Sequence, residues 1–146
     1  MFPAILPTPA GPAIRSSLRA GLCAFLLLLA LAPLAAQDIR DASGRLVARV
    51  DGNDLRDASG RLVFRFDGAD VRDASGRLFL RLDGDDIRDA AGRLLGRYDG
   101  SDIRDSSGRL MGRIDGTDIR DDAGRLVGRL QGVRQRQGAL YFFFLR

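Results

Sequence analysis

The sequence predicts an all-β fold: a shallow, pseudo-symmetric barrel, closed or nearly closed, made of 16-residue β-hairpins behind an N-terminal signal helix. Three observations carry this expectation. A 16-residue unit recurs without insertion, starting at Asp38, Asp54, Asp70, Asp86, Asp102 and Asp118. Each copy holds two turn signals, Asp-x-x-Gly and Asp-Gly. Between them runs a short segment in which apolar and charged residues alternate, the period of a half-buried strand.

Residues 1–36 differ from the rest. Arg15 and Arg19 precede an apolar run at 21–36, which ends in Pro33 and small residues. A charged stretch, a short apolar core and a small-residue end form a secretory signal peptide. Cleavage is expected after Ala36, leaving Gln37 first, although Leu34 occupies a position where a small residue is preferred. The alternative is an uncleaved anchor, but the run is shorter than the ~20 residues of a spanning helix. Cys23 precedes the apolar core, whereas a lipidated cysteine would follow it. The long stretch before Arg15 also leaves an internal start open.

The repeat domain is 37–146, with copies at 38–53, 54–69, 70–85, 86–101, 102–117 and 118–131 and a degenerate closing copy at 132–146. Self-similarity at a fixed period is the signature of such architectures. Within the first copy, Asp38-Ile39-Arg40 is the short partner strand. Asp41-Ala42-Ser43-Gly44 is a type I turn with glycine at its left-handed end. In the long strand, alternation sends Leu46, Ala48 and Val50 one way and Arg45, Val47 and Arg49 the other. Asp51-Gly52 then turns the chain into the next copy. Two glycines per sixteen residues exclude helices in the repeats.

A single hairpin cannot bury its apolar face, whereas copies arranged around an axis can. The Leu46 column (Leu62, Leu78, Leu94, Leu110, Leu126) is expected to form one inner ring and the Val50 column (Phe66, Leu82, Tyr98, Ile114, Leu130) a second. Between them lie Ala48, Phe64, Leu80, Gly96, Gly112 and Gly128, so Phe64, Phe66 and Leu80 should fill space opposite the three glycines. The run Leu140-Tyr141-Phe142-Phe143-Phe144-Leu145 is apolar on both faces. It is expected to be a covered closing strand paired with the first copy, which would remove exposed sheet edges. An outer-membrane barrel is disfavoured because the strands are short and Arg faces outward.

Segments such as Gly108-Arg109-Leu110-Met111-Gly112-Arg113-Ile114, joined by Asp-Gly and followed by Ile-Arg-Asp-x-x-Gly, resemble the bacterial β-flower proteins. The resemblance covers 38–131 well and 132–146 loosely. It implies a symmetric barrel with hairpin petals behind an export signal, and no particular activity. The first three copies depart from it by carrying Ala48, Phe64 and Leu80 in place of the inner glycine. The segment Asp89-Ala90-Ala91-Gly92-Arg93-Leu94 also resembles the YD repeats of much longer bacterial shell-forming toxins, with Arg-Asp in place of Tyr-Asp. A likeness to lipid-binding Tubby-like barrels is one of shape only, a weak warrant for function.

Composition narrows the chemistry. All 23 basic residues are Arg and all 19 acidic residues are Asp, with no Lys, Glu, His or Trp. Without Arg15 and Arg19 the balance is 21 Arg against 19 Asp, a net +2. The charges alternate rather than gather on one face, so a nucleic-acid partner is not expected. With no His, and with Cys23 the sole Cys, general acid–base work would fall on Asp or Tyr alone. No enzyme activity, catalytic residue, cofactor or metal site is therefore expected.

The densest acidic run, Asp83-Gly84-Asp85-Asp86-Ile87-Arg88-Asp89, raises calcium binding. Its spacing fits no calcium-loop motif and it contains Arg88, so turns and Asp–Arg pairs are preferred. The Arg45 and Arg49 columns raise anion binding, against which stands a simple charge ladder with Asp. The function expected is an exported, non-enzymatic binding or interaction module of the bacterial envelope, secreted or periplasmic. Its partner would be a protein, a lipid or a small anionic ligand. The alternative is a structural or assembly protein docking to a partner or membrane through its C-terminal aromatic strand.

Overall fold

The computed structural model describes residues 36–146, and the export segment expected at 1–36 lies outside the described residues apart from Ala36. The repeats form twelve antiparallel strands. Each copy contributes a four-residue strand and a longer one: β1 (Asp38–Asp41) and β2 (Leu46–Asp51) in the first, then β3 (Asp54–Asp57), β4 (Leu62–Asp67), β5 (Asp70–Asp73) and β6 (Leu78–Asp83). The second half repeats this with β7 (Asp86–Asp89), β8 (Leu94–Tyr98), β9 (Asp102–Asp105), β10 (Leu110–Asp115), β11 (Asp118–Asp121) and β12 (Leu126–Gln131). Every strand pairs with its sequence neighbours, and β1 pairs with β12 to close the barrel.

Both turn signals act locally as the sequence predicts. The Asp41 carboxylate accepts hydrogen bonds from the Ser43 N–H at 2.9 Å, the Ser43 hydroxyl at 2.6 Å and the Arg45 N–H at 3.0 Å. Gly44 follows at φ 85°, a conformation that costs L-residues with a Cβ about 1–2 kcal/mol. Gly52, at φ 60°, supplies the same freedom in the Asp-Gly turn.

Closure does not use the seventh copy. Ile39 faces Leu130 and Asp41 faces Gly128, the register in which Leu55 faces Val50 and Asp57 faces Ala48 between consecutive copies. The sixth copy thus meets the first as any copy meets the next. The C-terminal run, expected to be a closing strand, is instead a helix, α1 (Gln135–Phe143). A run apolar on every side does not distinguish a covered strand from a buried helix, and surroundings decide.

Those surroundings are the barrel itself. About eight strands give a bore that wall side chains fill, and diameter grows with strand number. Twelve strands leave an axial space, and α1 occupies it. At one mouth the Gln135 side-chain amide donates to the Gly116 carbonyl at 2.9 Å. At the other, Arg146 lies beside Asp41, Ser43 and Arg125. Midway, a Cβ placed on Gly128, Gly112 or Gly96 would stand less than 3.0 Å from the ring of Phe142, Phe143 or Phe144 respectively. The three glycines therefore accept three consecutive aromatic rings of the C-terminal segment, not Phe64, Phe66 and Leu80 from across the axis.

The ring assignments also change. In every copy the register slips at the start of the long strand: Leu46 faces Arg40 and Ala48 faces Ile39, so Val47 is the extra residue of a bulge. Simple alternation fails there. The Leu46 column, expected inside, is half-buried on the outer side, where Leu46 shares a groove with Arg49 and Arg56. Val47, Val63, Met111 and Val127 pack against the core instead. The deepest column is that of the short strands: Ile39, Leu55, Val71, Ile87, Ile103 and Ile119 are at most 1% exposed.

Candidate functional site

Three surfaces carry polar chemistry: the outer girdle and the two mouths. On the girdle, Asp38 and its five equivalents each accept from two arginines. The Arg49 column donates through Nε at 2.7–3.2 Å. The Arg40 column donates at 2.8–3.3 Å. Each Arg40-type side chain also donates to the carbonyl of its turn glycine at 3.1–3.2 Å. The hydrogen bond from Arg49 holds the Asp38 carboxyl below its ordinary range, with Arg40 adding to the effect, and Asp54, Asp70, Asp86 and Asp102 follow the same pattern. Two of the three Arg columns are thus a charge ladder, and exposed pairs of this kind stabilise weakly one by one.

The third Arg column divides by sequence. Where the turn holds serine, its hydroxyl donates to the turn Asp, and Arg45, Arg61, Arg77 and Arg109 form no ion pair among the described residues. Where alanine replaces serine, at Ala91 and Ala123, Arg93 and Arg125 donate to Asp89 and Asp121 at 2.7 and 2.8 Å. The acidic run at 83–89 is consumed in the same way. Asp86 pairs with Arg88 and Arg97, and Asp89 caps its turn through the Ala91 and Arg93 N–H groups. Among the described residues no three carboxylates converge.

The mouth bearing the Asp-x-x-Gly turns is apolar at its lip. Phe79 is 43% and Leu95 36% exposed, and Phe79 lies against Phe64 with ring centroids 5.0 Å apart. The Arg146 guanidinium sits 5.8 Å from the Phe142 ring centre.

The mouth bearing the Asp-Gly turns receives the first turn of α1. There the Arg136 guanidinium donates to the Gly84 carbonyl and the buried Tyr98 hydroxyl donates to the Gly100 carbonyl at 2.9 Å. Burial raises the Tyr98 pKa, opposed by the charge of Arg136. Beside them opens a recess of about 300 Å³. Its polar wall is Arg134, Arg136, Gln137 and Asn53, and its apolar floor is Phe66, Leu82 and Leu140. Among the described residues the Arg136 Nε is buried with no hydrogen-bond partner, and Arg134 has no side-chain cap contact to α1. Two acids of the surrounding turns lean outward: Asp67 and Asp83 stand 3.9 Å from Arg72 and Arg88 on the girdle.

Sequence reasoning looked for anion sites in the repeating Arg columns and passed over Arg134 and Arg136. A signal was present. Residues 132–146 contain three Arg and no Asp, so the acid that accompanies arginine in every full copy is missing there.

The family model described as "5-fold beta-flower protein" matches residues 36–146, and the chain belongs to that family. It closes six hairpins where that description gives five. No curated protein and no solved structure matches it.

Proposed function

We propose that this β-flower chain is an exported, non-enzymatic binding module of the bacterial envelope, secreted or periplasmic, that holds its ligand in the mouth where α1 enters the barrel. One observation carries this: the donor-lined recess beside Arg134 and Arg136 is concave and has polar groups left over. A pocket that is mostly apolar with a few convergent polar groups is the default place to look for a ligand. The axis is filled by α1 and the Arg49 column is held by Asp, which favours the mouth over those two places, while Arg45, Arg61, Arg77 and Arg109 stand on separate exposed turns. The absence of His, Glu and Lys, with the Asp side chains engaged in turns and ladders, supports binding rather than turnover.

The assembly alternative loses the contact first assigned to it, because Phe142, Phe143 and Phe144 face glycines inside the barrel. What it keeps is the exposed pair Phe79 and Leu95 at the opposite mouth. A screen of small molecules by thermal shift separates the two. Ligands that raise the melting temperature of the wild type but not of Asn53→Trp, which fills the recess from an exposed turn, support the binding module. A function in the host that survives Asn53→Trp and fails on Phe79→Ser with Leu95→Ser would replace it with assembly.

A further inference from the structure

We infer that the recess takes a small organic acid: an anionic head on Arg134 and Arg136 and a compact apolar body on Phe66, Leu82 and Leu140. This rests on the α1 mouth being the binding face and adds the chemistry of the ligand. Arg134 and Arg136 form no ion pair among the described residues, while the Arg40 and Arg49 columns are fully paired. Two of the turn acids of this mouth are drawn outward by the girdle, Asp67 to Arg72 and Asp83 to Arg88. At the position following Gly52 and its equivalents the residues are Asn53, Ala69, Asp85, Ser101, Thr117 and Val133, so this position supplies one acid, Asp85, and it makes no ion pair with Arg136, whose guanidinium donates to the neighbouring Gly84 carbonyl.

Satisfaction of donors points the same way. A buried polar atom without a partner carries a desolvation penalty that an acceptor removes. The Arg136 Nε is such an atom, and a carboxylate or phosphate oxygen is the acceptor that guanidinium geometry suits best. Asn53 and Gln137 add amide donors on the same wall. The first turn of α1 has no acidic residue and no side-chain cap, so its free N–H groups favour the same sign of charge. The floor demands more than a bare ion, since Phe66, Leu82 and Leu140 offer it only hydrocarbon. A volume of about 300 Å³ lies at the small end of ligand pockets and fits one ring or a short chain rather than a peptide.

The test is calorimetric titration of the purified chain with four probes: benzoate, phenyl phosphate, benzyl alcohol and inorganic phosphate. Benzoate and phenyl phosphate are expected to bind. Benzyl alcohol, which keeps the ring and lacks the charge, should bind at least about tenfold more weakly than benzoate. Inorganic phosphate, which keeps the charge and lacks the ring, should bind more weakly than phenyl phosphate. Arg134→Gln and Arg136→Gln should each weaken the two acids about tenfold or more. Arg136 also holds the Gly84 carbonyl, so a melting curve accompanies its variant; the Arg134 side chain makes no hydrogen bond among the described residues, and its variant keeps the test valid if Arg136→Gln unfolds. Equal binding of benzyl alcohol and benzoate, with both lost in Asn53→Trp, would overturn the acid preference and leave the mouth as the binding face. Acid binding that Asn53→Trp does not change, or no binding by any probe, would overturn both.

Discussion

Replacing Gly112 by alanine tests whether the barrel is built around its C-terminal helix. A methyl on Gly112 would stand less than 3.0 Å from two groups, the Phe143 ring and the Arg120 backbone carbonyl on β11. The ring can turn away; the carbonyl belongs to the β10–β11 ladder, where Gly112 faces Asp121 and Arg113 faces Arg120. Overpacking of a filled core costs about 1–3 kcal/mol, and the fixed carbonyl puts this substitution near the upper end. Phe143→Ala alone should cost less than the ~3–5 kcal/mol of a fully buried ring, about 2–3 kcal/mol, because Phe143 is half-buried. The two changes act on one space, so the double variant should be more stable than the sum of the singles predicts, by about 1 kcal/mol. Urea unfolding followed by circular dichroism and by tyrosine emission measures all three, and the Gly112→Ala melting temperature should fall by about 8–12 °C. Gly108→Ala is the control: its φ is 85° and no atom of the described residues lies within 4 Å of the added methyl. It should cost about 1–2 kcal/mol of backbone strain and show no coupling to Phe143. Strict additivity of Gly112→Ala with Phe143→Ala, or a Gly112→Ala protein as stable as wild type, would refute the helix-filled barrel.

Two further outcomes are expected, one from the charges and one from the proposed export. The carboxyls of Asp38, Asp54, Asp70, Asp86 and Asp102 are held below their ordinary value of 3.8 by arginine, those of Asp41, Asp57, Asp73 and Asp105 by serine hydroxyls and backbone N–H groups, and those of Asp89 and Asp121 by backbone N–H groups and arginine. Their contribution to stability is therefore present above that value and lost as pH falls through the lower folded-state values; melting temperature should be level above about pH 5 and drop below about pH 4, and a protein that melted higher at pH 3 than at pH 6 would contradict the assignment. Mass spectrometry of the chain recovered from the host's periplasm or medium should show an N-terminus at Gln37 or close to it, whereas full-length chain found only in the cytosol would remove export.

The repeat, both turns and the strands between them are legible in the sequence because each is decided within a few residues. Asp41 needs only the N–H groups of Ser43 and Arg45, and Gly44 only its own φ. The charge ladder is legible as an expectation for a similar reason: Asp38 and Arg40 lie two residues apart on one strand, and Arg49 is brought opposite by the hairpin. Three features required the folded barrel. The bulge at Val47 turns the leucine column outward, and a slip of register is a property of two strands, not of one. The fate of residues 135–143 depends on the width of the bore. A narrower barrel would leave no room on its axis, whereas twelve strands surround an apolar segment on all sides and favour the helix, which satisfies its own backbone. The recess at Arg134 and Arg136 exists only because that helix begins within a mouth where Asp67 and Asp83 turn to the girdle arginines. No local pattern encodes that meeting, although the disappearance of Asp after Asp122 marks in the sequence where charge is left without a partner.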